Sequence, residues 1–466
     1  MSVVRLGGLD ATFLALENAR NRLHVMAIIV LDGSTVPEGF SADRFVATLA
    51  ERLPRIAPMR RRVVDVPFGL GRPMWQDGGA PQLAHHLRRV RLDPPGDAAA
   101  LADFAASIAD VPLDRSRPLW ELHVVEGLAD EHIAVVAKLH HSLMDGAAGM
   151  EFMGALFTLE PDGESALPPL PTTTATNAWR DRAARMSETA LALVRVPLAA
   201  AHAAGDTAAG VLRLARPRDE SARSAAPFAA PRTPFDGAAT DHRAIALTSV
   251  PRVDVEAVRA ATGATFNDVV LAALGGALRA WLETHEGVPD RPLVAAMPVS
   301  VHEAFGPQAA NALAVGLVAL GTHLDDPAAR LAEVVSGASA AKRSVSELGS
   351  GTLMEWLDVI WSPLVSAAGA LFSNLRLADR LPPFCNLLVS NVAGPPVPLY
   401  LAGARLVSLH PLGPVYDGLG LNVTVISREH EVDVGLVAWR EHTPDLGVLA
   451  RGIGDAVREL RDATCP

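Results

Sequence analysis

The sequence contains very little cysteine and lysine. Cys385 and Cys465 are the only two cysteines among 466 residues and lie far apart. A disulfide framework and a cysteine zinc site are therefore excluded. Lys138 and Lys342 are the only two lysines, so nearly all basic residues are arginine. No long basic run occurs and the net charge is −11, so nucleic acid is not expected as a partner.

Long uninterrupted apolar runs are also missing, although the mean hydropathy of +0.22 is high. A membrane-spanning helix needs about 20 mostly apolar residues. The uncharged stretches at 304–324 and 381–404 contain prolines, and the former also contains other polar residues. The N-terminal residues lack the continuous apolar segment of a signal peptide. We therefore expect a cytoplasmic protein without a transmembrane helix.

Strand and helix patterns alternate on both sides of a different middle section. Buried strands are predicted at 24–31, 133–139, 244–250, 293–298, 313–320, 386–390, 421–427 and 432–438, with helices between them. Residues 161–240 are rich in proline and alanine, which predicts a connector with helices of its own. The expected architecture is α/β, with an N-terminal half at 1–160 and a C-terminal half at 241–466.

The sharpest motif is HHxxxDG, from His140 to Gly146. From the composition, chance alone gives about 0.004 occurrences in a chain of this length. A buried strand carries both imidazoles to its end, and a histidine there suits general-base catalysis. Adjacent residues of an extended chain point to opposite faces, so His140 and His141 are expected to have different roles. Asp145 is predicted to hold the turn by bonding loop amides or an arginine. The alternative is a purely structural pair, with Asp145 only starting the next helix.

Further motifs accompany the histidines in a fixed order. They are LDATF (9–13), RPLWE (117–121), NDVVLA (267–272), SNVAGP (390–395) and DGLGLN (417–422). Together with HHxxxDG they resemble the bacterial wax ester synthase/diacylglycerol acyltransferase family, of the chloramphenicol acetyltransferase and condensation-domain superfamily. Ala393 is the one small departure, since that family more often has proline there.

The resemblance implies two chloramphenicol-acetyltransferase-like halves with the active-site channel between them. It also implies transfer of a long acyl chain from acyl-CoA to diacylglycerol or a fatty alcohol. His141 would be the general base, and His140 and Asp145 would complete the catalytic set. Acyl-CoA is then a substrate, and neither a cofactor nor a metal is expected.

Substrate-binding roles are predicted for seven further residues, and for two of them, Asp268 and Trp120, a structural role is the alternative. Backbone amides near Gly146 or the Asn267 side chain are candidates to stabilise the oxyanion. Asp268 equally fits a capping box with Thr265. Trp120 contacts substrate or, more simply, packs in the core. Asn391 and Gly394 are expected to shape a strand-end turn where the second half meets the first. Gly418 and Gly420 would let an acyl or pantetheine chain pass close to the backbone.

Two other functional classes stay open. A condensation-type enzyme would use a carrier-protein thioester, which the PLW and NDVVLA segments and the lack of a fused carrier domain disfavour. A non-enzymatic lipid-surface protein would not need paired histidines.

A water-insoluble acceptor requires contact with a membrane or lipid droplet. The segment 356–372 is apolar apart from Asp358 and includes Trp356 and Trp361. Tryptophan favours the lipid–water boundary, so this segment is predicted to be part of a peripheral docking face. The alternative is a buried helix pair divided at Pro363.

Overall fold

The computed structural model describes residues 3–36, 39–66, 72–143, 146–163, 186–187, 225–300, 313–348 and 362–465. Its strands are β1 (Val3–Arg5), β2 (His24–Asp32), β3 (Arg61–Val64), β4 (Met74–Asp77), β5 (Leu87–Arg91), β6 (Trp120–Glu126), β7 (His132–His140), β8 (Arg243–Pro251), β9 (Val294–Ser300), β10 (Leu313–Ala319), β11 (Leu387–Ala393), β12 (Tyr400–Leu401), β13 (Ala404–Leu412), β14 (Leu421–Ser427) and β15 (Glu431–Trp439). Its helices are α1 (Gly8–Leu16), α2 (Ala42–Arg52), α3 (Ala57–Arg60), α4 (Ala98–Ala109), α5 (Gly146–Leu156), α6 (Arg252–Thr262), α7 (Phe266–Glu283), α8 (Pro327–Leu348), α9 (Ser362–Asn374) and α10 (Leu446–Thr464). The predicted α/β class is confirmed.

The first large sheet carries the histidine motif. Its strand order is β12–β13–β2–β7–β6–β5, which puts β7 among the inner strands. All residues of β7 except His132 are buried, which explains the nearly continuous apolar sequence. In the antiparallel register, His24 of β2 lies opposite His140, and Trp120 of β6 lies opposite Leu139. This register fixes which side chains surround the end of β7.

The second large sheet has the order β10–β9–β11–β14–β15–β8 and packs against α7. Helix α7 is buried over most of its surface, as expected for a central helix that is apolar all round. Gly275 belongs to this helix, and a Cβ there would lie 2.2 Å from the carbonyl oxygen of Leu320. Glycine therefore allows α7 to approach the chain that follows β10 closely.

The two sheets do not correspond to two contiguous parts of the chain. Strands β12 and β13 fall within the predicted C-terminal half, yet β13 pairs with β2 and extends the first sheet. The amide of Leu409 in β13 also donates to Oδ2 of buried Asp433 in β15, at 2.8 Å. Strands β12 and β13 of the range 241–466 thus belong to the first sheet by hydrogen bonding, whereas the second sheet contains no strand from the described part of residues 1–160. The boundaries at 160 and 240 stay predictions.

Helix α9 covers the described part of the predicted docking segment. Pro363 is its second residue, where proline fits a helix, and the residues just before Ser362 lie outside the described part of the chain. Leu371 is 57% exposed, which excludes a buried helix over this part. Helix α9 packs on α1, where a Cβ on Gly369 would lie 3.1 Å from the Leu16 side chain. Trp356 and Trp361 lie outside the described residues.

Among the described helices, none is by itself both long and apolar enough to cross a bilayer. Helices α6 and α7 pass the same length and composition test only when joined, and they are bent by 109° relative to each other.

Candidate active site

The end of β7 places two imidazoles next to each other in sequence but in different surroundings. The His140 amide donates to the Leu119 carbonyl oxygen at 3.0 Å, and the His141 amide donates to the Leu23 carbonyl oxygen at 2.9 Å. Strand β7 ends at His140, and His141 opens a short 3-10 turn that ends at Leu143. We call residues 140–143 the histidine turn. Its main chain is therefore anchored on both sides of the strand.

His140 is 1% exposed and organises the turn that follows it. The Ser142 amide donates to His140 Nδ1 at 3.1 Å, and the Ser142 hydroxyl lies 2.7 Å from the same nitrogen. Because an amide can only donate, Nδ1 must accept, and the proton of the neutral ring sits on Nε2. Burial, together with Arg115 and His141, lowers the pKa of His140 to about 3. The ring is therefore neutral near pH 7 and holds the turn in place.

His141 is half-buried and stacks on Phe13 of α1. The ring centroids are 4.2 Å apart and the ring planes differ by 24°. Its Nδ1 is buried without a hydrogen-bond partner among the described residues. Burial lowers the pKa of His141, and its own backbone carbonyl opposes this only in part. The imidazole is therefore unprotonated near neutral pH, which is the state that a general base needs.

The rest of the motif is described only in part. Met144 and Asp145 lie outside the described residues, so the role of Asp145 as an organiser of the turn stays a prediction. Gly146 is the first residue of α5. The positive end of this helix dipole therefore lies close in the chain to the histidine turn.

Trp120 is a core residue rather than a substrate contact. Its indole is 1% exposed, and Nε1 donates to the Met59 carbonyl oxygen at 2.8 Å. His86 stacks on the indole with ring centroids 4.3 Å apart. These contacts occupy one ring face and the only polar atom of the side chain, so the predicted substrate contact is wrong. Its neighbour Leu119 accepts the bond from the His140 amide, which links Trp120 indirectly to the site.

The start of α7 separates the roles of Asn267 and Asp268. Asp268 accepts from the Thr265 amide at 2.9 Å and from its hydroxyl at 2.7 Å, which confirms the capping box. A substrate contact by Asp268 is not supported, because its carboxylate is buried and already bonded. Asn267 Oδ1 is buried without a partner among the described residues, and Nδ2 lies 3.8 Å from Met297 Sδ. Asn267 remains a candidate contact.

Asn391 and Gly394 lie at the end of β11. Asn391 is exposed and lies opposite Val425 of the parallel neighbour β14. A Cβ on Gly394 would lie 2.2 Å from the Ser427 carbonyl oxygen. Glycine therefore allows the chain to pass close to the end of β14 as it leaves the sheet. The expected strand-end role fits Gly394, and binding by Asn391 stays a prediction.

Asp417 joins the two halves of the molecule. Its Oδ2 accepts from Asn21 Nδ2 at 2.6 Å, and its Oδ1 accepts from the Ala239 amide at 2.8 Å. Asn21 Oδ1 in turn accepts from the Asp417 amide at 3.1 Å. Since Asn21 is two residues before Leu23, which holds His141, this loop braces the candidate site from the second half.

The glycines after Asp417 serve the protein's own packing. Gly418 has a φ of +76°, a backbone conformation that favours glycine. A Cβ on Gly420 would lie 2.6 Å from both the Phe235 carbonyl oxygen and the Trp439 ring. The predicted passage of a substrate chain beside Gly420 is therefore wrong, because other parts of the protein fill that space. Substrate contact by Gly418 stays a prediction.

Sequence reasoning missed a charge cluster beside His140, in which the Glu17 side chain is 11% exposed and that of Arg115 is 51% exposed. Arg115 Nη2 and Nε donate to Glu17 Oε2 at 2.6 and 3.0 Å. The Glu17 carboxylate lies 3.8 Å from His24 Nε2 and 3.9 Å from His140 Nε2. Burial raises the pKa of Glu17, and Arg115 opposes that shift. These contacts depend on the β2–β7 register and on the position of α1, which no local pattern predicts.

Lys138 was also missed, although a lone lysine in an apolar strand is a visible signal. It is 0% exposed and donates to the carbonyl oxygens of Ile108 and Val111 at 3.0 and 3.1 Å. Its Nζ also lies 3.3 Å from Glu121 Oε2. Lys138 thus fastens the C-terminal end of α4 to β7. Within the described residues, no cluster of three His, Cys, Asp or Glu side chains forms a potential metal site.

Two family models match this chain. One is the wax ester synthase/diacylglycerol acyltransferase catalytic domain, over residues 6–270, and the other is the C-terminal domain of the same family, over residues 309–461. The chain belongs to the wax ester synthase/diacylglycerol acyltransferase family. The resemblance carried by the sequence motifs is thereby confirmed, and acyltransferase activity follows at the level of the family.

Relatives from Mycobacterium tuberculosis match over nearly the whole length. One, named "Putative diacyglycerol O-acyltransferase", is 36% identical over 461 residues, covering 99% of this chain and 90% of the relative. Another of the same name is 34% identical over 458 residues, covering 98% and 99%.

Solved structures give the same family and fold. The wax ester synthase/diacylglycerol acyltransferase from Marinobacter aquaeolei VT8 matches with a TM-score of 0.70 and 28% identity, covering 99% of this chain and 100% of that one. The first condensation domain of the calcium-dependent antibiotic synthetase matches with a TM-score of 0.54 and 17% identity, covering 100% and 97%. The second likeness shows the fold alone, a two-domain α/β architecture related to condensation domains.

Proposed function

We propose that this acyltransferase moves a long acyl chain from acyl-CoA to the free hydroxyl of diacylglycerol, with His141 as the general base. The observation that supports this proposal most directly is the half-buried imidazole at the end of β7, which stacks on Phe13 with ring centroids 4.2 Å apart. Burial keeps its pKa below the ordinary value, so the ring can accept a proton near pH 7. His140 is bonded to the turn and its pKa of about 3 makes it unsuited to that task.

The proposed step balances without a cofactor. His141 removes the hydroxyl proton while the hydroxyl oxygen attacks the thioester carbonyl carbon. The tetrahedral intermediate then collapses, its carbon–sulfur bond breaks, and the CoA thiolate takes the proton from the imidazolium. The products are triacylglycerol and free CoA, and no acyl-enzyme forms.

Two groups could stabilise the negative oxygen of the intermediate. Gly146 begins α5, and free backbone amides at a helix N-terminus favour negative charge. Asn267 at the start of α7 is the second candidate, since its Nδ2 group can donate a hydrogen bond and lies 3.8 Å from a weak acceptor, Met297 Sδ. Removing one such donor costs about 10²–10³-fold in rate in other acyl-transfer enzymes.

The choice of diacylglycerol as acceptor is supported by the names of the mycobacterial relatives. A fatty alcohol is the second acceptor, supported by the name of the family and of the Marinobacter protein. Both acceptors offer a hydroxyl to the same base, so one assay compares them.

The test uses purified protein with palmitoyl-CoA and either dioleoylglycerol or hexadecanol. We expect ester and free CoA in equal amounts, and loss of about 10²–10⁴-fold in rate in His141→Ala. His132→Ala is the matched control, a half-buried histidine at the opposite end of β7. No ester with either acceptor, or a folded His141→Ala variant with more than half of the activity, would contradict the proposal. Ester formation only from a palmitoyl carrier-protein thioester would favour the condensation-type alternative.

We also propose that the protein remains cytoplasmic and docks peripherally on the inner face of the membrane or on lipid droplets through α9 and the residues after it. Leu371 is 57% exposed and Leu375 is 47% exposed. Arg376 and Arg380 are exposed next to them, which suits an anionic lipid surface. Helix α9 packs on α1, so this apolar face lies one helix away from His141.

Flotation with phosphatidylcholine–phosphatidylglycerol vesicles tests the docking face. Leu371→Ser with Leu375→Ser should abolish flotation but leave activity on detergent-dispersed dioleoylglycerol. Val448→Ser is the control, since that residue is 46% exposed on α10. Flotation equal to the wild type in a folded double variant would contradict this docking face.

A further inference from the structure

Helix α1 presents two side chains, one helical turn apart, to the histidine turn. Phe13 and Glu17 are separated by four positions, so they lie on one face, and Glu17 is the residue that ends the helix. Phe13 stacks on His141, whereas Glu17 faces His140. Each of the two adjacent histidines therefore has its own partner on α1.

Glu17 faces the nitrogen of His140 that carries the ring proton. Because Ser142 donates to Nδ1, the ring proton of His140 sits on Nε2. That nitrogen is buried, has no hydrogen-bond partner among the described residues, and lies 3.9 Å from Glu17 Oε2. The distance exceeds a hydrogen bond, so the carboxylate acts through its charge, which is effective in a buried site. A negative charge beside Nε2 favours the tautomer that is protonated there. Nδ1 is then unprotonated and can accept the hydrogen bond from the Ser142 amide.

Arg115 keeps the carboxylate in position. It donates twice to Glu17 Oε2, and its Nη2 also donates to the Leu14 carbonyl oxygen of α1 at 2.8 Å. Arg115 thereby joins α1 to the segment that precedes the PLW motif. Within the described residues, the charged and titratable groups around the histidine turn include Glu17, Arg22, His24, Arg115, Lys138 and the two histidines themselves.

The contact between Phe13 and His141 covers one face of the imidazole. A stack at 4.2 Å leaves no room for water on that side and restricts rotation of the ring. Orientation matters in a proton transfer, since a misplacement of about 1 Å can cost about 100-fold in rate.

We propose that Phe13 and Glu17 are positioning residues of the acyl transfer: Phe13 orients His141, and Glu17 acts through His140 on the turn that presents His141. The inference rests on the proposed function, because it assigns both residues to a base at His141. Neither residue exchanges a proton with substrate in this arrangement.

Phe13 is tested with Phe13→Leu and Phe13→Tyr. Leucine should lower kcat by about tenfold to 100-fold with KM nearly unchanged, because orientation is lost but binding is kept. It should also move the acid limb of the rate profile to higher pH, because water reaches the imidazole. Tyrosine keeps the stack and should restore most of kcat. The control is Phe40→Leu, a half-buried phenylalanine that packs on Phe45, away from the histidines.

Glu17 is tested with Glu17→Gln, which keeps the shape and removes the charge. We expect kcat to fall by about tenfold with KM nearly unchanged. Glu126→Gln is the matched control. Its side chain is 14% exposed, against 11% for Glu17, and it also pairs with arginines, Arg89 and Arg91. An equal fall of kcat in both variants would make the Glu17 effect a general loss of an ion pair and would overturn its role.

The two proposals fail in different ways. If His141→Ala remains active, the base assignment fails, whatever the α1 variants do. If His141→Ala is inactive but Phe13→Leu matches Phe40→Leu in kcat and in pH profile, only the role of Phe13 is overturned. Both results are read on variants whose melting temperature shows that they are folded.

Discussion

The histidine turn and the loop 417–422 differ in how far their buried polar atoms are hydrogen-bonded. At the histidine turn, buried ring nitrogens of His24, His140 and His141 lack hydrogen-bond partners among the described residues. In the loop, Asp417 accepts on both carboxylate oxygens, and Asn422 donates to the Pro414 carbonyl oxygen at 3.1 Å. Unsatisfied buried polar groups are costly and concentrate at functional sites, whereas satisfied ones stabilise.

This difference divides the family motifs into two kinds. HHxxxDG carries groups that can take part in chemistry, whereas DGLGLN holds the second half against Asn21. Changes in the first motif should therefore lower the rate more than stability, and changes in the second should do the reverse.

The largest effect that sharpens this comparison is expected for His140→Ala. The change removes the acceptor of the buried Ser142 amide, which costs about 1–3 kcal/mol in the free energy of unfolding. Since the turn then no longer fixes His141, kcat should fall by about 100-fold. Urea unfolding and initial rates measure both quantities. His123→Ala, another buried histidine of the first sheet, is the control. Equal rates in the two variants would mean that His140 has no special link to the site.

Asp417→Ala should give the opposite pattern. It removes the acceptor for Asn21 Nδ2 and for the Ala239 amide, and should lower the free energy of unfolding by about 1–3 kcal/mol. The kcat of the folded fraction should stay within about threefold, because no reacting group is touched. Asp417→Asn keeps one acceptor oxygen and should lose less stability. A kcat that falls 100-fold without loss of stability would place Asp417 in the chemistry and break the comparison.

The smallest effect is expected for Asp145→Asn. As an organiser of the turn, Asp145 needs an oxygen that accepts hydrogen bonds, and asparagine keeps one. Asp145→Asn should therefore lose less activity than Asp145→Ala, and both should lower the melting temperature. Complete loss of activity in both variants with unchanged melting temperatures would instead make Asp145 a direct participant.

Local patterns predicted the elements that carry the site. The apolar run before His140 marked β7, and Thr265 with Asp268 marked the capped start of α7. The different surroundings of His140 and His141 followed from the alternation of an extended chain. Each of these features depends on residues within a few positions of each other.

The features that were missed depend on distant residues. Strand β13 joins the first sheet through β2, more than 370 positions earlier, and no local pattern encodes that pairing. Glu17 and Arg115 meet over 98 positions. Trp120 and Gly420 were assigned to substrate because a motif does not reveal whether a residue faces a channel or the protein's own core.

The central claim is that His141 accepts the proton, and the pH dependence of kcat/KM tests it most directly. Burial lowers the pKa of His141 below its ordinary 6.5, so the unprotonated base persists at pH 6.5 and is lost as pH falls further. The account predicts that wild-type kcat/KM has an acid limb with its midpoint below pH 6.5 and a plateau above it. The residual activity of His141→Ala should lack that limb. An acid limb retained at the same pH in His141→Ala would show that another group is the base and would contradict the account.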